Sequence, residues 1–78
     1  MENIVKDYME NLHNVIYEKN IILNEIIEAK KMYIKSLQEK DENDPEILEY
    51  KIAIEKLSTT VKLNLIQIEY LKNLTSFI

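Results

Sequence analysis

The chain has 78 residues, 46% hydrophobic and 31% charged, with fourteen Asp and Glu against ten basic residues, all lysine, for a net charge of -4. That length holds one small domain, and the composition is too apolar for a disordered tail. The absence of Cys excludes disulfides, thiol catalysis and Cys-bound metal; the absence of Gly excludes phosphate-cradling loops; and an acidic chain without Arg argues against a grip on nucleic acid.

The N-terminal residues Met1-Glu2-Asn3-Ile4-Val5-Lys6-Asp7 carry acids early and no hydrophobic block, so no secretory leader is expected. No apolar run approaches the ~20 residues needed to span a bilayer. The expected setting is the cytoplasm, with signal-independent export left open. Abundant Ile, Lys and Asn beside the missing Arg point to an AT-rich source genome and say nothing of function.

A first helix is predicted over roughly residues 3–40. At about 100° per residue, Val5, Tyr8, Met9, Leu12, Val15, Ile16, Ile22, Leu23, Ile26, Ile27, Tyr33, Ile34 and Leu37 fall on one broad side. Asp7, Asn11, Asn14, Glu18, Glu25, Glu28 and Glu39 take the other. Lys19 and Lys30 project into the apolar stripe and are expected to snorkel. The alternative is a break near Asn20 that folds the segment back into a three-helix monomer, although no Gly or Pro stands there.

The strongest punctuation is Lys40-Asp41-Glu42-Asn43-Asp44-Pro45. Asp44 suits an N-cap and Pro45 the first helical position, where a missing N–H costs nothing. Glu46 suits the positive end of the helix dipole. Lys30, Lys31, Lys35 and Lys40 gather toward the end of the first helix, and Asn43 is expected to take the left-handed position usually given to Gly.

A second helix is predicted over roughly 45–76, and it is apolar on two opposite sides. Ile47, Tyr50, Ile54, Leu57, Val61, Leu65 and Ile68 form one stripe. Leu48, Ile52, Leu63, Ile66, Tyr70, Leu74 and Phe77 form the other. The first helix can cover only one of them. Each side chain on the second stripe would contribute roughly 1.5–3 kcal/mol if fully buried. A lone hairpin buries too little apolar area to stand comfortably by itself. The expected fold is therefore all-α: a two-helix antiparallel hairpin that completes a four-helix or larger bundle with itself or with a partner protein. The expected contact residues are Ile52, Leu63, Ile66, Tyr70, Leu74 and Phe77, with Tyr17, Ile21 and Met32 as a secondary patch.

Several constellations suggest chemistry and give way to simpler readings. Glu10 and His13 have the Glu-x-x-His spacing of carboxylate-bridged dimetal bundles, with Glu69 nearby in an antiparallel register. On the wheel, however, Glu10 points at solvent and His13 at the stripe boundary. Tyr8, Tyr17, Tyr33, Tyr50 and Tyr70 could stack bases, but three of them lie on or beside core stripes. Ser58-Thr59-Thr60 sits far in sequence from the sole His, and back-bonding to helix carbonyls accounts for it. A hairpin offers no cleft, so neither an enzyme nor a cofactor or metal is expected.

The second half also resembles a known family. Asp44-Pro45-Glu46, Ile47-Leu48, Ala53, Leu57-Ser58-Thr59, Val61, Ile68, Leu71-Lys72-Asn73-Leu74 and Ile78 are similar to the C-terminal helix of type III secretion needle subunits. Asn73 stands where that family has an Asp. Residues 3–40 depart from the subunits, whose N-terminus is polar and less regular. They look more like the small helical-hairpin chaperones that hold those subunits. The resemblance implies a hairpin acting by protein contact, as an assembly subunit or its chaperone. The same architecture suits an adaptor, an inhibitor, or a small phage- or plasmid-type regulator that occludes another protein. A dimeric RNA-binding hairpin is the rival class, and it would need a cationic face.

Overall fold

The computed structural model describes residues 2–76. They form two helices, α1 (Glu2–Lys40) and α2 (Pro45–Thr75), packed side by side in opposite directions. The all-α hairpin is as expected. The rod measures 59 × 14 × 12 Å with a radius of gyration of 17.7 Å. A compact globule of this length would have about 11.5 Å. No strand occurs among the described residues, and no helix there is long and apolar enough to cross a membrane.

Local chemistry makes the turn. The Asp41 N–H reaches the Leu37 carbonyl at 2.8 Å and closes the last turn of α1. The Asp41 carboxylate then accepts the Asn43 N–H at 3.0 Å, and its carbonyl accepts the Asp44 N–H at 3.2 Å. Asp44 is the N-cap of α2, extended at φ -60 and ψ 124, with its carboxylate accepting the Glu46 N–H at 2.9 Å. Pro45 follows without wasting a donor. Asn43 does not take the left-handed conformation, since no described residue has positive φ. The side chain of Asp41 and the extended Asp44 reverse the chain instead.

α1 is unbroken through Asn20, so the three-helix alternative falls. Asn20 is in fact among the most buried residues, at 5% exposure. Its amide donates to the Val61 carbonyl at 3.2 Å, and its oxygen accepts from the Asn64 amide at 2.8 Å. Deep polar groups must be paired, and these two satisfy each other across the interface.

The interface itself is a heptad seam. On α2, Ile47, Tyr50, Ile54, Leu57, Val61, Asn64, Ile68, Leu71 and Thr75 alternate three and four residues apart, and all are buried or half-buried. On α1, Met9, His13, Ile16, Asn20, Leu23, Ile27, Lys30, Ile34 and Leu37 do the same. Ile16, Ile68 and Leu71 pack together with Leu12 against them. This corrects two assignments on α2. Leu65, expected inside, is 53% exposed, while Leu71, absent from the expected stripe, is buried. The cause is supercoiling. A 3.6-residue wheel drifts about 20° per heptad from a 3.5-residue seam, which over the length of α2 swaps these two positions.

The broad stripe of α1 also divides. Its inner half packs on α2, while Val5, Tyr8, Val15, Ile22, Ile26 and Tyr33 remain exposed. A single neighbouring helix covers a seam and not a half-cylinder. Of the two lysines in that stripe, Lys30 is half-buried with its ammonium 5.0 Å from the centre of the Tyr50 ring, and Lys19 is exposed.

Candidate functional site

α2 presents the candidate surface because its sequence repeats apolar residues on the side opposite its seam. Leu48, Ile52, Leu63, Ile66 and Tyr70 point away from α1 and are all exposed, Ile52 the least at 48% and Ile66 the most at 66%. The stripe has a polar break at its centre, where Glu55, Lys56 and Thr59 are exposed. The Thr59 hydroxyl is returned to the Glu55 carbonyl at 3.0 Å, and that of Thr60 to the Lys56 carbonyl at 3.1 Å. These hydroxyls therefore serve the helix, as the back-bonding reading has it.

Two expected contact residues stand differently. Leu74 is half-buried and not on the open face. The drift that brings Leu71 inside turns Leu74 to the flank. Phe77 lies outside the described residues.

The secondary patch does not form one surface. Ile21 and Met32 share a shallow groove of about 550 Å³ on α1 with Asn24, Glu25, Glu28 and Ala29. Tyr17 lies apart from it, its ring parallel to that of His13 with centroids 6.5 Å apart. Glu28 in that groove pairs with Lys31 at 3.4 Å, an exposed contact of small energetic weight.

A second, largely exposed line of side chains was hidden inside the broad α1 stripe, although its Leu12 is half-buried against the inner cluster and its Tyr33 meets α2. Val5, Leu12, Lys19, Ile26 and Tyr33 recur every seventh residue, and Tyr8, Val15, Ile22 and Ala29 interleave with them. Counting sevens, and not summing over a wheel, would have separated it from the inner seam. At the turn end Tyr33 meets α2. Its ring lies 4.9 Å from that of Tyr50, and its hydroxyl donates to the Glu46 carboxylate at 3.5 Å. The Glu46 charge, aided by partial burial and then by Tyr50, raises the Tyr33 pKa above its usual value of 10.0.

At the open end Lys6, Glu10, His13, Asn14, Lys72, Thr75 and Ser76 line a groove of about 520 Å³. Glu10 is exposed, His13 is half-buried, and His13 Nδ1 lies 3.4 Å from the Asn14 amide oxygen. Among the described residues no three His, Cys, Asp or Glu side chains converge as metal ligands would. Six apolar side chains are buried among the described residues, whereas sixteen large ones remain exposed. The chemical capacity of such a surface is apolar association along a line.

Comparison with known protein families, with curated proteins and with solved structures finds no match. The functional reading therefore rests on the surface alone.

Proposed function

We propose that this hairpin is a non-enzymatic binding protein that works by pairing the outer stripe of α2 with an apolar helical surface of another protein molecule. The observation that carries the reading is the excess of exposed over buried large apolar side chains, many of them set along the outer side of α2 and one side of α1. Exposed apolar surface grouped on one face, beyond scattered single residues, marks an interaction site. A line of side chains on one helix face suits a helix-in-groove or bundle-completing contact. The charged edges of the stripe would select partner and register.

The class includes an adaptor, a chaperone, an inhibitor and an assembly subunit. The continuity of α1 supports the chaperone side of the resemblance to secretion needle proteins over the subunit side. A cysteine-free chain also suits a reducing compartment such as the cytoplasm.

The test is to change Leu63 and Tyr70 to Asp. Both residues are more than half exposed, so the hairpin should keep its helical circular dichroism. Association, with itself or with a captured host protein, should be lost. Unchanged association in the double variant would remove the outer stripe from consideration. Salt-dependent retention on RNA would instead favour the nucleic-acid class.

A further inference from the structure

We draw no further inference here: the strongest candidate, the surface patch formed by the outer stripe of α2 (Leu63, Ile66, Tyr70) and the exposed line of α1 (Val15, Ile22, Ile26), belongs to the surface already described, and nothing in the structure shows what covers it.

Discussion

The two sides of α2 are built from nearly the same residue types and meet opposite fates. On the inner side, Ile47, Ile68 and Leu71 are buried against α1. On the outer side, Leu48, Ile66 and Tyr70 are each more than 60% exposed. Composition does not separate them; phase does. The inner side keeps a three-four alternation from Ile47 to Thr75, and its one conspicuous polar residue, Asn64, is paired with Asn20. The outer side is interrupted by Glu55, Lys56 and Thr59, so it tolerates water between contacts. A seam that must hold a monomer together has its polar groups matched within the chain. Under the proposed function the outer seam would meet a separate molecule, and its unmatched charges would help to choose it.

Truncation breaks the comparison most directly. Leu71→Ala should cost roughly 2–4 kcal/mol in chemical denaturation, because it opens a cavity in the cluster with Ile16 and Ile68. Leu63→Ala should change monomer stability by no more than about 0.5 kcal/mol. Equal costs for the two would mean that the outer stripe is covered within the chain.

The polar layer comes next. Asn20→Ala leaves the Asn64 amide short of a partner, and a loss of about 1–3 kcal/mol is expected. Replacing both Asn20 and Asn64 by Leu should raise the melting temperature and blur the association state, as removing a buried polar pin does in coiled coils. A double variant with lower stability and a single unchanged assembly would show that the pair acts through packing alone.

A cap change touches both sides together. Asp44→Ala removes the acceptor for the Glu46 N–H and should cost about 1 kcal/mol. Because the cap supports α2 as a whole, association and hairpin stability should weaken in parallel, measured by thermal melts at low and high concentration.

The smallest effect is a titration. Tyr33 is held protonated by the neighbouring Glu46 carboxylate, so its folded-state pKa lies above the unfolded value of 10.0. Its contribution to stability is therefore complete below pH 10.0 and is lost as pH rises through the raised folded value. In an ultraviolet pH titration Tyr33 should ionise above its usual value of 10.0, and Glu46→Gln should bring its ionisation back down. No change on that substitution would assign the shift to burial.

The residues differ in how openly their roles can be read from the chain. Asp44 and Pro45 announce the start of α2 because capping is satisfied within a few residues of sequence. Ile52, Leu63, Ile66 and Tyr70 can be placed on an outer side because opposition on a helix needs only its period. Asn20 reads as a weak point and proves to be an interior pin, since its partners lie 41 and 44 residues away. Leu65, Leu71 and Leu74 are misplaced by a straight wheel, because supercoiling accumulates with length and depends on the second helix being present.

What the amino-acid order determined alone is everything enforced over short range: two helices, the turn between them, its cap, and an α2 that is apolar front and back. What only the tertiary structure decided is the phase of contact. It selected which half of the α1 stripe is used, which left Val15, Ile22 and Ile26 uncovered, and it paired Asn20 with Asn64. Local hydrogen bonds set the first list. The second depends on two rods winding about each other, and no single rod contains that information.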